Sequence, residues 1–111
     1  MNALTNLRAE IFEELEALKT DLSVAAKKWK KHCSFTGRLY RQSATKIGRI
    51  ISYRRDDASV CRTLEDVGNA LVLHGSSAIF PEARRESCAF ARRTLNLLPK
   101  GTSVQLRLFL N

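Results

Sequence analysis

The chain has 111 residues, 44% of them hydrophobic, and a net charge of +8. The length suits a single domain over residues 1–111, or one protomer of an oligomer, and the apolar content excludes a disordered chain. No apolar run approaches the ~20 residues that a membrane span needs, and the polar N-terminus does not resemble a signal peptide. We therefore expect a soluble cytoplasmic protein with no membrane contact.

Residues 3–31 carry the clearest periodic pattern. Apolar residues recur there at every third or fourth position: Leu4, Leu7, Ile11, Leu15, Leu18, Leu22, Ala25 and Trp29. This spacing predicts one long amphipathic helix with heptad character, which calls for a partner helix, from this chain or from a second one. Trp29 could stack on a nucleobase, but its register with the apolar stripe favours a place in the core or an interface.

Positive charge is concentrated between residues 27 and 55. This quarter of the chain holds ten of the 19 Lys and Arg residues and none of the 11 acids. The ten are Lys27, Lys28, Lys30, Lys31, Arg38, Arg41, Lys46, Arg49, Arg54 and Arg55. A local excess of this kind attracts polyanions, because each phosphate contact releases condensed counterions. The alternative is a solvated basic face that only improves solubility.

A second helix is predicted over residues 38–55, after a break at 32–37 in which Ser34 is the N-cap and Gly37 a helix breaker. Its sequence separates into a polar and an apolar side at ~100° per residue. The polar side holds Arg38, Arg41, Gln42, Thr45, Lys46, Arg49, Ser52 and Tyr53. The apolar side holds Leu39, Tyr40, Ser43, Ala44, Ile47, Ile50 and Ile51. Bases mixed with hydroxyl and amide groups suit phosphate and ribose contacts better than lipid contacts.

Two further helices are predicted beyond the basic stretch. Residues 58–73 place Val60, Leu64, Val67 and Leu71 on one side, and Gly75 is expected to end that helix. The alternative is an extended segment over residues 70–73. After a loop at 76–80, Pro81 starts a helix over residues 81–98. Four arginines on it, Arg84, Arg85, Arg92 and Arg93, make a second basic surface whose position relative to the first is open.

Residues 103–110 alternate between apolar and polar side chains, with Phe109 the exception, which predicts a C-terminal β-strand. A lone strand leaves its backbone unpaired. It must therefore pair with a segment near residues 70–73 or with the same strand of a second copy. The second pairing, like the heptad stripe, favours a homodimer.

The motifs of common catalytic and metal sites are missing. The five glycines are isolated, so no phosphate-binding loop is present. Three cysteines, Cys33, Cys61 and Cys88, and two histidines, His32 and His74, lack the spacing of a zinc site. We expect no enzyme activity, no cofactor, no metal and no small-molecule substrate.

The order of elements resembles one known family, the small double-stranded-RNA-binding silencing suppressors of insect nodaviruses. The likeness covers about half of the chain. It begins at the basic pair Lys30-Lys31, continues through residues 48–52 (Gly-Arg-Ile-Ile-Ser) and meets residues 58–65 (Ala-Ser-Val-Cys-Arg-Thr-Leu-Glu). The chain departs from the family at Arg41 and Gln42 and in its tail, which has the pattern of folded structure.

The resemblance implies an antiparallel homodimer that forms a four-helix bundle and lies along one face of an A-form duplex. It also implies that Arg49 contacts the RNA backbone, and that the protein shields duplex RNA from dicing and from loading in the host cytoplasm. We therefore expect a mainly helical, dimeric bundle that binds double-stranded RNA without reading sequence. The expected RNA-binding residues are Lys27, Lys28, Lys30, Lys31, Arg38, Arg41, Gln42, Thr45, Lys46, Arg49, Ser52, Arg54 and Arg55.

Three alternatives remain open. A DNA-binding regulator of helix-turn-helix type would use residues 38–53 followed by 58–73, but its second helix should then be the more basic one. A ribonucleoprotein subunit would use the same basic surfaces on structured RNA. A protein-interaction module would use the heptad stripe and ignore nucleic acid at moderate salt.

Overall fold

The computed structural model describes residues 8–53 and 58–98 of the chain. Within those ranges the protein is mainly helical, as predicted, and contains no strand. The four helices are α1 (Arg8–Trp29), α2 (Ser34–Tyr53), α3 (Ala58–Ser77) and α4 (Pro81–Leu95). The predicted strand at 103–110 lies outside the described residues, as do residues 3–7 and both Arg54 and Arg55.

Helices α1 and α2 form an antiparallel pair that buries both predicted apolar stripes. The described stripe of α1, from Ile11 to Trp29, is buried, and so are Tyr40, Ala44, Ile47 and Ile50 of α2. The partner helix that the heptad pattern required is thus α2 of the same chain. The pairing is favoured because each helix removes its apolar side from water, which stabilises by about 25 cal/mol per Å² of apolar surface.

The start of α2 differs from its prediction. The helix begins at Ser34 and includes Gly37, whose N–H donates to the Cys33 carbonyl at 3.0 Å. The helix continues through Gly37, where the absence of a side chain serves packing. A Cβ atom there would lie 3.1 Å from the Ala26 carbonyl oxygen and 3.2 Å from the Lys30 nitrogen. The missing side chain lets the backbones of α1 and α2 approach each other.

Helix α3 also runs further than predicted, through Gly75 to Ser77. Residues 70–73 are helical, so the extended alternative is wrong. Gly75 again permits close packing, since a Cβ there would lie 2.6 Å from Cys88 Sγ of α4. The hydroxyls of Ser76 and Ser77 donate to carbonyls one turn back, at 3.0 and 2.8 Å, so both hydroxyl protons are satisfied within the helix.

Helix α4 begins at Pro81, as predicted, and ends at Leu95, three residues early. The next three residues form a turn, in which Asn96 N–H donates to the Arg92 carbonyl at 2.9 Å. The inner side of this segment holds Ala91 and Leu95, which are buried, with Cys88 and Leu98 partly buried. The α3–α4 pair thus repeats the antiparallel arrangement of α1 and α2.

The two helix pairs are joined by buried polar contacts and by ion pairs along the α1–α4 seam. Tyr40 of α2 shares a 2.8 Å hydrogen bond with Ser87 of α4 and meets the ring of Phe90 edge to face. Burial raises the pKa of the Tyr40 phenol. At the seam, Arg93 forms an ion pair with Asp21 at 2.8 Å.

Trp29 completes the α1–α4 seam. It is 4% exposed, and its indole N–H donates to Glu86 Oε1 at 2.7 Å. The prediction that Trp29 belongs to the packed interior is confirmed, and its ring is not available for stacking on a nucleobase.

Candidate nucleic-acid interface

The exposed side of α2 is the polar side predicted from its sequence. We call it the basic face, and all of its members are exposed. They are Arg38, Arg41, Gln42, Thr45, Lys46, Arg49 and Ser52. The apolar side is turned inward, with Leu39 and Ile51 partly buried at its edges. Amphipathic burial alone orients the face, because rotating α2 to hide its cations would expose Ile47 and Ile50.

The cations of the basic face have no acidic partner among the described residues. The ion pairs of the described chain involve only Lys28 and Arg93 as bases. Arg38, Arg41, Lys46 and Arg49 therefore keep their full charge available to an external anion.

The two arginines at the start of α2 face two lysines across a groove of about 560 Å³, which we call the α1–α2 groove. Lys27 of α1 and Lys30 of the following turn line one side of it, Arg38 and Arg41 of α2 line the other, and Gly37 lies between them. The groove forms because the absence of a side chain at Gly37 lets the two backbones approach, while the long side chains of the surrounding lysines and arginines extend outward. Four cations without an acidic partner, from α1, the turn after it and α2, thus surround one space.

The far end of the basic face borders α3. Lys46, Arg49 and Tyr53 line a second depression together with Ser59 and Thr63 of α3. Arg49, which the resemblance assigns to the RNA backbone, lies here and not in the α1–α2 groove. The basic face thus extends from one groove to the other along the length of α2.

The predicted polar contacts differ in how free their hydrogen-bonding groups are. Thr45 donates its hydroxyl proton to the Arg41 carbonyl at 3.0 Å, so its oxygen remains as an acceptor only. Gln42 and Ser52 are exposed and form no side-chain hydrogen bond with the described residues. Of the three, Gln42 and Ser52 are better placed to donate to a phosphate or a ribose hydroxyl.

The four lysines near the end of α1 do not share one surface. Lys27 and Lys30 line the groove, and Lys31 is exposed in the following turn. Lys28 faces α4 instead, where its ammonium lies 2.8 Å from Glu86 and 3.1 Å from Glu82. These carboxylates, Glu86 first, raise the pKa of Lys28. Lys28 is thus largely neutralised within the protein.

The second basic surface lies on α4. Arg84, Arg85 and Arg92 are exposed, whereas Arg93 pairs with Asp21 and lies over the ring of Phe90. Helix α4 meets α2 through Tyr40, on the buried side of α2. The arginines of α4 are therefore not part of the basic face.

Some residues at or near the groove were not among the predicted binding residues. Ser34, the first residue of α2, lines the groove, and Lys19 lies on the same side of α1 with its side chain against Gly48. A signal for Lys19 exists in the sequence, since Lys19, Ser23 and Lys27 recur at every fourth residue. This row is hard to recognise in the sequence because acidic residues flank Lys19.

A polar cluster lies just behind the groove, at the start of α2. The Thr36 hydroxyl donates to Cys33 Sγ at 3.2 Å and shares a 2.7 Å hydrogen bond with Nε2 of buried His74. The Thr36 hydroxyl and the amides of Thr36 and Phe35 lower the pKa of the Cys33 thiol. Burial lowers the pKa of His74, on which the Phe35 ring stacks. The cluster joins the α1–α2 turn to α3.

No cluster of three or more potential metal ligands occurs in residues 8–53 and 58–98. None of the four described helices is long and apolar enough to cross a membrane. No family model matches the chain, and neither the curated proteins nor the solved structures compared with it yield a match.

Proposed function

We propose that this protein binds double-stranded RNA along α2, without reading base sequence. The observation that carries the proposal is the unpaired basic face, which is flanked by the cation-lined α1–α2 groove. The cationic side chains suit contacts with phosphates, and the amide and hydroxyl groups between them suit contacts with ribose 2′-hydroxyls. The proposal is for a binding protein and not for an enzyme.

The shape of the face supports this choice of ligand. A 20-residue helix is about 30 Å long, so α2 reaches across successive grooves of an A-form duplex. Shape-specific readers of duplex RNA contact the backbone over such a distance and leave the base edges untouched. Exposed arginines of this kind also bind phosphate bidentately.

The biological role that we propose is to shield duplex RNA in the cytoplasm of a host cell and so to suppress RNA silencing. This step rests on the resemblance to the nodavirus suppressors, above all at residues 48–52. A protein that covers the backbone blocks any nuclease that must reach the same phosphates.

We also propose that the active form is a homodimer. The α1 stripe packs against α2 within the chain, so a dimer interface needs another surface. Phe35 and Ile79, at the end of the bundle where α1 joins α2, are 66% and 85% exposed and are suited to self-association. Sedimentation equilibrium tests this: a mass of one chain at micromolar concentration, with and without duplex RNA, contradicts the dimer.

The regulator alternative has less support from the helices that it requires. The second helix of such a motif, α3, exposes Asp66 and partly exposes Glu65 beside its base Arg62. Acids at that surface repel the DNA backbone, whereas α2 carries no acid at all.

A gel-shift titration tests the proposal directly. One sequence is offered as duplex RNA, duplex DNA and single-stranded RNA, each at two salt concentrations. We expect preference for duplex RNA, no dependence on sequence, and uniformly weaker binding for Arg49→Ala. Arg92→Ala is the matched control, because it removes an exposed arginine from α4 and should leave binding unchanged.

The outcomes separate the alternatives. Equal or tighter binding to duplex DNA favours the regulator. Absence of a shift at low salt leaves the basic face as a solvated surface. Unchanged binding by Arg49→Ala removes the assignment of α2 as the interface.

A further inference from the structure

Positive charge is distributed unevenly along the interface. Two cations, Lys46 and Arg49, serve the second half of α2, whereas four surround the α1–α2 groove at its beginning. A backbone phosphodiester carries one negative charge and needs only one or two partners. The groove is therefore more strongly charged than a site for one phosphodiester requires.

The groove gathers its cations from two segments of the chain. Lys27, in α1, and Lys30, in the turn that follows α1, lie opposite Arg38 and Arg41 of α2, where Gly37 lets the two backbones approach each other. Ser34 begins α2 at the same place, so the positive end of the helix dipole adds to the field of the cations. Planar guanidinium groups bind phosphate bidentately, and lysines add point charges.

The end of a nucleic acid offers the anion that matches this charge. A terminal phosphate monoester has three unesterified oxygens and carries about −1.5 to −2 at neutral pH, because its second pKa is about 6. We propose that the α1–α2 groove binds the 5′-terminal phosphate monoester of an RNA duplex. This inference rests on the proposed function and adds recognition of the duplex end to it.

The geometry of α2 agrees with that assignment. Arg38 and Arg49 are eleven residues apart, which corresponds to about 16 Å along the helix. A duplex whose terminal phosphate occupies the groove can thus run along α2, with internal phosphates near Lys46 and Arg49. The groove thus holds the 5′ end of the RNA, and the rest of the basic face contacts the RNA backbone.

The test compares one short blunt RNA duplex with 5′-phosphate ends and with 5′-hydroxyl ends, titrated by fluorescence anisotropy. We expect the phosphorylated duplex to bind about fivefold to tenfold more tightly at pH 7.5. The ratio should become smaller at pH 5.5, where most of the terminal phosphate carries one negative charge in place of two.

Two double variants locate the effect. Lys27→Ala/Arg41→Ala, in the groove, should bring the affinity ratio to about one. Lys46→Ala/Arg49→Ala, outside the groove, should weaken both duplexes and keep the ratio. All four side chains are exposed, and circular dichroism confirms that each variant is folded before it is titrated.

Each result has a definite meaning. Equal affinity of the unaltered protein for the two duplexes overturns the end-recognition inference and leaves the proposed function intact. A ratio that persists in the groove variant places the phosphate elsewhere and also overturns it. Absence of binding to either duplex overturns both the proposed function and the inference.

Discussion

At the scale of the residue, neighbours in sequence have different roles. Lys27 and Lys28 are adjacent, yet Lys27 lines the α1–α2 groove and Lys28 pairs with Glu82 and Glu86 of α4. Successive residues of a helix point about 100° apart, so one lysine faces α2 and the other faces α4. Charge counted along the chain therefore overstates the cations available to a ligand.

We predict that Lys27→Ala weakens binding of duplex RNA severalfold, whereas Lys28→Ala changes it by less than about twofold. The difference arises because Lys28 is already neutralised by two carboxylates. Anisotropy titrations of both variants at the same salt concentration measure it. Equal losses would show that Lys28 leaves its partners to contact the ligand.

The second prediction at this scale concerns His74. Its pKa lies below the ordinary 6.5 because it is buried, so the folded protein binds fewer protons than the unfolded chain as the pH falls past 6.5. The stability due to neutral His74 is complete above that pH and is lost as the pH falls through the folded-state pKa. We expect the free energy of unfolding, from urea denaturation, to decrease from pH 7 to pH 5.5.

His74→Gln is the control for this pH dependence. The amide can keep a hydrogen bond to Thr36 but does not titrate in this range. The variant should show a flatter profile between pH 7 and pH 5.5. A profile as steep as that of the unaltered protein would assign the effect to another group.

At the scale of the element, the two glycines of α2 have the same helix propensity but differ in how closely they are packed. Both Gly37 and Gly48 lie inside the helix, where glycine costs about 0.5–1 kcal/mol relative to alanine. At Gly37 an added Cβ meets the backbone of α1, whereas at Gly48 it meets the flexible end of Lys19 at 3.3 Å. Backbone cannot move away as a lysine side chain can.

We therefore predict opposite signs for the same substitution in one helix. Gly37→Ala should destabilise the protein by about 1–2 kcal/mol, because α1 and α2 must separate. Gly48→Ala should stabilise it by about 0.5 kcal/mol, since Lys19 can rotate away. Urea denaturation of both variants gives the two values. Stabilisation by Gly37→Ala would show that the two helices are less closely packed there.

At the scale of the whole molecule, the interface depends on how the two helix pairs divide the charges. The α1–α4 seam uses Lys28 and Arg93 in ion pairs and leaves unpaired the six cations that line the α1–α2 groove and the basic face. These six are Lys27, Lys30, Arg38, Arg41, Lys46 and Arg49. The number of phosphates that they neutralise is observable in the salt dependence of binding.

If all six contact phosphates, log K for duplex binding should fall with log salt with a slope of about −5 per protomer. Arg49→Ala should make the slope less steep by about one, and Arg92→Ala should leave it unchanged. Titrations at four or more salt concentrations measure the slopes. A slope near −1 would show that most of the basic face does not touch the ligand.

The sequence alone predicted the helices whose signal is local. The α1 stripe, the two sides of α2, the stripe of α3 and the start of α4 at Pro81 each follow from residues within a few turns. Each is present in the described residues, the α1 stripe from Ile11 to Trp29. The exposure of Arg38, Lys46 and Arg49 followed as well, because the apolar residues opposite them had to be buried.

The tertiary structure decided what depends on residues distant in the chain. In the sequence, Gly37 and Gly75 are typical of helix ends. In the folded chain they lie inside helices, where they pack closely against Ala26 and Cys88. Packing also decides that Lys27 and Lys28 face different neighbours, because α1 lies against both α2 and α4. It likewise decides that Lys30 and Arg38 line the same groove. Periodicity determines which side of a helix is buried, because burial needs only an apolar side. Only packing determines which neighbour covers it, and hence which charges remain free.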